Sequence, residues 1–132
     1  MTAGTFSVAT QKTMHLADIT EQVREAVAES GVQDGICFLY TPHTTAGLTI
    51  NEGADPDVRD DIISALRKIV PLAHPYRHRE GNSPAHVMAS LVGSSVLVFI
   101  ENSHLRLGVW QKIFFCEFDG PRTRQSFWRI QQ

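Results

Sequence analysis

The sequence predicts an α+β fold in which largely antiparallel β-sheet layers are combined with two or three helices. About seven short stretches are rich in apolar and β-branched residues and are bounded by Gly or Pro, as strands are. Two longer segments have apolar residues at helical spacing, and a third, shorter one follows Ser83-Pro84. No repeat or low-complexity tract interrupts the 132 residues, so a single domain over 1–132 is expected.

The first third of the chain predicts a strand, a helix and a second strand. Alternation of apolar and polar residues predicts a strand at 5–10. Asp18 is followed by Glu21 three residues later, a capping-box pattern that predicts a helix ending at Gly31. Residues 34–41 carry apolar side chains on both faces, which predicts a strand in the centre of a sheet.

The middle of the chain contains the clearest helix start. Residues 48–50 are extended, and Asp55-Pro56-Asp57 then combines an N-cap carboxylate with Pro at the first helical position. The apolar stripe that follows ends near Pro71. Residues 71–82 have no apolar periodicity, and a loop of this length in a compact domain is more often functional than idle.

The last third of the chain is mainly β. Ser83-Pro84 repeats the cap-plus-Pro pattern and predicts a short helix that ends at Gly93. Strands are then predicted at 96–100, 109–118 and 125–130, with short turns between them.

Composition excludes several classes of protein. Twelve Lys and Arg residues against fourteen Asp and Glu give a formal charge of −2, so no field of one sign attracts nucleic acid or acidic lipid. The longest apolar run, Val96–Ile100, is far shorter than the ~20 residues of a membrane helix. Cys37 and Cys116 lie in apolar stretches, which favours buried free thiols in a reducing compartment. A cytoplasmic protein without nucleic-acid or membrane partners is expected.

Three histidines lie at the predicted ends of elements or in the long loop. His43 follows the central strand, His78 lies in the loop, and His86 lies near the start of the third helix. Their spacing matches no compact metal motif, and each one alone is more often a surface or capped residue. If the three converge, they form the three-ligand arrangement with an open position that catalytic zinc prefers.

A second set of candidates consists mainly of acidic residues. It comprises Asn51-Glu52, Asp55, Glu80 and Glu117. Asp55 has a sufficient structural role as an N-cap. Glu52 has no such role visible in the sequence. Glu117 lies in an apolar strand, where it either faces solvent by alternation or is buried and paired.

Anion-binding candidates come from a turn and a helix start. Arg122 and Arg124 follow Gly120-Pro121, and two guanidinium groups there suit a phosphate or a carboxylate. The alternative is that both arginines pair with Asp119 or with a carboxylate of a neighbouring subunit. Ser83 begins a helix whose free backbone amides could also hold an anion.

Several motifs occur in a fixed order between about residues 40 and 124. They are His43-Thr44-Thr45-Ala46-Gly47-Leu48-Thr49-Ile50-Asn51-Glu52, Ala54-Asp55-Pro56, Tyr76-Arg77-His78, Pro84-Ala85-His86, Gly108-Val109-Trp110-Gln111 and Phe115-Cys116-Glu117-Phe118-Asp119-Gly120-Pro121-Arg122. Together these motifs resemble the secondary thiamine-phosphate synthase family.

The resemblance implies an α+β homotrimer with weak thiamine-phosphate synthase activity, in which a thiazole phosphate nitrogen displaces pyrophosphate from an aminopyrimidine methyl carbon. It also implies that His43, His78 and His86 converge on one metal-binding site, with zinc as the default divalent metal. The residues expected around that site are Asn51, Glu52, Glu80, Gln111 and Glu117.

Two classes of chemistry and one binding function stay open. A transferase acting on a phosphorylated small molecule needs Arg122, Arg124, the amides near Ser83 and a divalent ion. A metal-dependent hydrolase needs the histidines, a bound water and Glu52 or Glu80 as base. The third possibility is a non-catalytic trimer that binds a metal or metabolite. The large apolar side chains of Trp110, Phe114, Phe115 and Trp128 add to the expectation of a homotrimer.

Overall fold

The computed structural model describes residues 2–132 and contains eight strands and three helices. In chain order they are β1 (Ala3–Ala9), β2 (His15–Asp18), α1 (Thr20–Ser30), β3 (Gly35–Tyr40), β4 (Ala46–Glu52), α2 (Pro56–Ile69), α3 (Ser83–Val92), β5 (Ser95–Glu101), β6 (His104–Leu105), β7 (Gln111–Glu117) and β8 (Thr123–Gln131). The predicted α+β class is confirmed.

The strands form two antiparallel sheets. The five-stranded sheet has the order β1-β8-β3-β5-β6, and the three-stranded sheet has the order β2-β7-β4. In the larger sheet Leu39 of β3 lies between Val96 of β5 and Trp128 of β8. The prediction that 34–41 forms a central strand is therefore confirmed.

The side chains of β7 separate two apolar layers. Ile113 and Phe115 belong to the core between the two sheets, to which α1 contributes Val23. Phe114 and Cys116 point to the other face and pack in a second apolar cluster beneath α2 and α3. The three-stranded sheet is thus covered on both faces.

The three helices have 11, 14 and 10 residues, and within residues 2–132 none is long and apolar enough to cross a membrane. The predicted start of α2 is confirmed, because the Asp55 carboxylate accepts a hydrogen bond from Asp57 N at 2.9 Å. The N-cap of α3 is Asn82, and Ser83 is the first helical residue. The prediction of Ser83 as the cap was therefore wrong by one position.

The segment before α1 forms a strand that the sequence did not predict. Asp18 ends β2 and pairs with Phe114 of β7, so it cannot also be the first residue of the helix. The N-cap is Ile19, and the Asp18 carboxylate instead accepts hydrogen bonds from Thr20 N at 2.9 Å and Thr20 Oγ1 at 2.6 Å. Pairing with a buried strand outweighs the local capping pattern here.

The C-terminal strands differ from prediction at their ends. β7 begins at Gln111, because Val109 and Trp110 lie in a turn in which Gln111 N donates to Gly108 O at 3.0 Å. β8 begins at Thr123, so Arg124 belongs to a strand and pairs with Val8 of β1.

Of the four large apolar residues that were expected to contribute to a contact between subunits, most are buried within one chain. Phe114, Phe115 and Trp128 are buried in the two apolar layers, and only Trp110 stays exposed, at 63%. Other apolar side chains provide exposed surface on the outer face of the five-stranded sheet. Phe38 of β3 lies beside Leu97 of β5 there, and Phe99 is two residues further along β5.

Both cysteines are buried and unpaired, as the sequence predicted. Burial raises the pKa of Cys37 to about 11 and that of Cys116 to about 12. Neither thiol is therefore a candidate nucleophile.

Candidate functional site

A polar cleft opens at one end of the two sheets and has a volume of about 440 Å³. Its walls come from the loop between β3 and β4, the loop before α3, the first turn of α3, the turn between β7 and β8, and the start of β8. The lining residues are Pro42, His43, Thr44, Thr45, His78, Glu80, Asn82, His86, Asp119, Arg122 and Arg124.

Two of the predicted histidines are in contact across the cleft. His86 lies in the first turn of α3, and His78 lies in the exposed loop that precedes this helix. Their ring centroids are 5.4 Å apart and the rings are nearly perpendicular, at 83°. The structure thus brings the imidazole groups of His78 and His86 into contact in the same cleft.

His43 lies in the same cleft but is held differently. Pro42 ends the extended segment of β3, and the His43 ring Nε2 accepts a hydrogen bond from Gln125 N at 2.9 Å. This bond assigns the neutral tautomer in which Nδ1 carries the proton. Burial lowers the pKa of His43, and the nearby guanidinium groups of Arg124 and Arg122 lower it further, which also favours the neutral ring.

The predicted zinc site was wrong. Within residues 2–132 no group of three or more His, Cys, Asp or Glu side chains is arranged to hold a metal ion. One physical reason is that the Nε2 lone pair of His43 is already used by the Gln125 amide. The broader expectation of a divalent cofactor stays a prediction.

The floor of the cleft is an ion pair between the two sheets. Glu117 is fully buried and Arg124 is 3% exposed. Arg124 Nε donates to Glu117 Oε1 and Oε2 at 2.9 and 3.1 Å, and Arg124 Nη2 donates to Glu117 Oε2 as well. Thr10 Oγ1 donates to Glu117 Oε1 at 2.7 Å, and Arg124 Nη2 donates to Thr45 Oγ1 at 2.7 Å.

The electrostatics of Glu117 show that its charge is stabilised. Burial alone would raise the pKa of this carboxyl, but hydrogen bonds from Arg124, Thr10 and the Asp119 amide outweigh burial and lower it. Of the two alternatives that the sequence left open for Glu117, the structure shows the buried and paired one.

The rim of the cleft contains a second, exposed ion pair. Arg122 Nε donates to Asp119 O at 2.9 Å, and Arg122 Nη2 donates to Asp119 Oδ2 at 3.2 Å. Asn82 Nδ2 donates to the same Asp119 oxygen at 3.0 Å. Asn82 Oδ1 is buried and has no hydrogen-bond partner among residues 2–132.

Three of the predicted site residues lie at the opposite end of the three-stranded sheet. Glu52 pairs with Gln111 there, whereas Ala46 pairs with Glu117 at the cleft. Six residues of strand separate the two ends, about 20 Å at ~3.3 Å per residue. Glu52 Oε2 accepts a hydrogen bond from Asp55 N at 2.9 Å, which gives it a structural role in the turn before α2. Asn51 Oδ1 accepts from Glu52 N at 2.7 Å.

The start of α3 offers fewer free amides than the sequence suggests. Ala85 N and His86 N both donate to Asn82 O, and Pro84 has no N–H. Ser83 is not among the residues that line the cleft. One chain thus brings together His43, His78, His86 and Glu80 with both arginines, above Glu117.

Sequence analysis did not single out Asn82, Thr45 or Thr10. Asn82 directly precedes Ser83-Pro84, and a shift of the helix start by one residue identifies it as the cap. Thr45 and Thr10 contact Arg124 and Glu117 only because the fold joins residues 79 and 107 positions apart. No local pattern signals such contacts.

These features define a small, antiparallel α+β protein with a cleft lined by histidine, arginine and acidic side chains. The family model described as "UPF0047 protein YjbQ-like" matches residues 4–132. The chain belongs to this family.

Relatives from distant organisms match nearly the whole chain. A UPF0047 protein of Methanocaldococcus jannaschii is 49% identical over 125 residues, which cover 95% of this chain and 91% of that protein. The UPF0047 protein YugU of Bacillus subtilis is 48% identical over 124 residues, covering 93% and 94%. The crystal structure of an uncharacterised conserved protein of the YjbQ/UPF0047 family from Clostridium acetobutylicum has a TM-score of 0.94 at 53% identity, covering 96% and 98%.

These comparisons correct the family that the sequence motifs suggested. The matching family and its relatives carry consistent UPF0047 names, and nothing in them points to a thiamine-phosphate synthase. The resemblance to that synthase family was therefore wrong, and the transferase activity that it implied has no support.

Proposed function

We propose that the cleft binds a small hydrophilic molecule and that His78 and His86 exchange a proton with it. The observation that carries this proposal is the contact of the two rings, 5.4 Å apart, inside a polar cleft of about 440 Å³. A volume of this size suits a small metabolite.

Imidazole is the side chain best suited to proton exchange near neutral pH. In a neutral ring one nitrogen donates and the other accepts, so two adjacent rings provide both functions to one ligand. His78 and His86 approach from two segments, and within residues 2–132 neither ring makes a hydrogen bond that would fix its tautomer. The tautomer of each ring is therefore open to be set by the ligand.

Asn82 adds a fixed polar side chain to the wall of the cleft. Its Nδ2 donates to Asp119 Oδ2 at 3.0 Å, and its Oδ1 is closed off from solvent. The open acceptor beside it is Asp119 Oδ1, which has no partner among residues 2–132 and suits a hydroxyl or amino group on the ligand.

The test uses a panel of phosphate monoesters, hydroxy acids and amino acids, with binding followed by the imidazole signals in NMR. We expect bound compounds to shift the signals of His78 and His86, and we expect chemical conversion of a bound compound to fall about 100-fold or more in His86→Asn. His104→Asn is the matched control, because His104 is an exposed histidine on β6 that does not line the cleft. Equal conversion by His86→Asn, His78→Asn and the wild type would contradict the proposal.

A further inference from the structure

We infer that the floor of the cleft is a subsite for an oxyanion, the phosphate or carboxylate group of the small molecule. This inference rests on the proposed function of the cleft as a small-molecule site. The subsite consists of Arg124 Nη1 and His43 Nδ1 at the floor, with Arg122 Nη1 at the rim.

Arg124 offers a donor that is aimed by the protein. Its Nε and Nη2 are committed to Glu117 and Thr45, while Nη1 has no hydrogen-bond partner among residues 2–132. Nη1 also remains accessible, because it is absent from the set of unpartnered polar atoms that are closed off from solvent. Since the side chain is 97% buried and lines the cleft, the surface that it keeps belongs to the cleft floor. A guanidinium held in this way loses little conformational entropy when an anion binds.

His43 supplies a second donor whose direction is fixed. The bond from Gln125 N to His43 Nε2, 2.9 Å long, leaves the proton on Nδ1. Burial is the main cause that lowers the pKa of His43; the charge of Arg124 and, less strongly, that of Arg122 lower it further, whereas Glu117 raises it. His43, Arg124 and Arg122 line the same cleft. An anion bound between them is expected to raise the pKa of His43, because it favours the charged ring.

Arg122 adds a third donor from the rim. Two of its nitrogens are tied to Asp119, and Nη1 has no partner among residues 2–132. The side chain is half exposed, so its contribution is smaller than that of a buried donor and is screened by salt.

The two carboxylates near the floor do not turn it into a cation site. Both oxygens of Glu117 already accept hydrogen bonds, from Arg124, Thr10 and the amides of Phe118 and Asp119. Asp119 belongs to the rim, where its Oδ2 accepts from Asn82 and Arg122 and its Oδ1 has no partner among residues 2–132. The unused side-chain groups at the floor itself are therefore donors, and a single rim oxygen does not make a cation site.

The unused acceptors that a ligand can reach lie at the rim of the cleft, on Asp119 Oδ1 and on the exposed Glu80. This separation of donors and acceptors predicts a ligand with two different ends. The oxyanion occupies the floor, and a hydroxyl or amino group faces the rim carboxylates and the two contacting histidines.

The experiment measures binding of inorganic phosphate and of acetate to the full chain by calorimetry, with sodium chloride of equal ionic strength as the baseline. We expect the wild type to bind at least one anion, and the tighter of the two identifies the group as phosphate or carboxylate. Direct substitution of Arg124 leaves Glu117 buried without its partner and risks unfolding, so other variants carry the test.

His43→Gln retains an acceptor for Gln125 N, but its amide N–H donors no longer lie at the position of the ring Nδ1, and we expect it to weaken anion binding about tenfold. Arg122→Gln is expected to weaken binding about three- to fivefold. Arg106→Gln is the matched control: Arg106 is also an exposed arginine in an ion pair, 3.5 Å from Glu101, but it does not line the cleft. Its anion affinity should equal that of the wild type.

Two results overturn the oxyanion subsite. One is that the wild type binds neither anion, and the other is that His43→Gln and Arg122→Gln bind both anions as the wild type does. The proposed function fails separately: it is contradicted when the His86 and His78 variants convert a bound compound normally, whatever their affinity for phosphate.

Discussion

Glu117 at the end of β7 and Arg124 at the start of β8 form a buried ion pair that joins the two sheets across a turn of five residues. Glu117 continues the face of β7 that carries Ile113 and Phe115, and Arg124 continues the face of β8 that carries Trp128 and Ile130. The pair therefore closes the core between the sheets at the end where the cleft begins. The core and the cleft share this boundary, so changes to the pair act on both.

Removal of one partner of this pair is expected to be strongly destabilising. Glu117→Ala leaves the guanidinium of Arg124 buried and unpaired, and we expect the free energy of unfolding to fall by about 3–5 kcal/mol. Urea denaturation at neutral pH measures this change. The double variant Glu117→Met/Arg124→Met removes both charges and should lose less stability than the single variant.

The exposed pair Arg106–Glu101 provides the comparison for this prediction. Its side chains are 70% and 53% exposed, and exposed pairs contribute about 0–1 kcal/mol. Glu101→Ala is thus expected to change the free energy of unfolding by less than 1 kcal/mol. If Glu117→Ala also lowers the free energy of unfolding by less than about 1 kcal/mol, the buried pair contributes no more than an exposed pair.

The lowered pKa of Glu117 predicts a specific acid dependence of stability. Its carboxyl has a pKa below the ordinary 4.5, so the unfolded chain binds this proton more tightly than the folded chain. The stabilisation by Glu117 is fully present above about pH 4.5 and is lost as the pH falls through the folded pKa. Glu117→Gln has no carboxyl at this position and should lack this part of the dependence.

Urea denaturation of the wild type and Glu117→Gln between about pH 2 and pH 7 measures the difference. The stability advantage of the wild type should narrow as the pH decreases below 4.5. Glu21→Gln removes an exposed carboxyl that pairs with Arg24, and its difference from the wild type should stay small at every pH. A constant advantage of the wild type over Glu117→Gln down to pH 2 would contradict the prediction.

Much of the fold was predictable because its signals are local. The cap at Asp55 and the two-sided apolar pattern of β3 depend on residues within a few positions of each other, and both were predicted. β2 was missed because its four residues are stabilised by pairing with β7, about a hundred positions away. The start of β8 was placed two residues late, which hid the fact that Arg124 shares its buried face with Trp128 and Ile130.

The candidate site was predictable only in its residue types. Sequence analysis named His43, His78, His86 and both arginines, and these side chains do line one cleft. It could not assign hydrogen-bond partners, since the atom that satisfies His43 Nε2 is a backbone amide 82 positions later. For the same reason Glu52 and Gln111 were grouped with the histidines, although they lie at the other end of β4 and β7.

The buried thiols are expected to be unreactive in the folded protein. With pKa values of about 11 for Cys37 and about 12 for Cys116, the thiolate fraction at pH 8 is on the order of a thousandth or less. A disulfide reagent should therefore modify neither thiol quickly, and both should react at once in denaturant. Ser64→Cys adds an exposed thiol on α2 and should react rapidly with one equivalent. Rapid reaction of one equivalent of thiol in the native wild type would contradict the prediction.

The last prediction concerns assembly, for which a homotrimer is expected. Phe38, Leu97 and Phe99 are 39–52% exposed on the outer face of the five-stranded sheet, where Phe38 and Leu97 are directly paired across β3 and β5. Contiguous aromatic and aliphatic surface of this kind is typical of contacts between subunits.

Light scattering at micromolar concentration should give about 44 kDa, three times the mass of the 14.7 kDa chain. A carboxylate in the centre of the apolar face would be desolvated on assembly, so Phe99→Asp should shift the mass toward a single chain. Leu72→Asp introduces the same charge at an apolar residue that is 69% exposed, in the loop after α2, and should leave the mass unchanged. A wild type that remains at 14.7 kDa would contradict the trimer, whereas a trimer unaffected by Phe99→Asp would place the contact on another face.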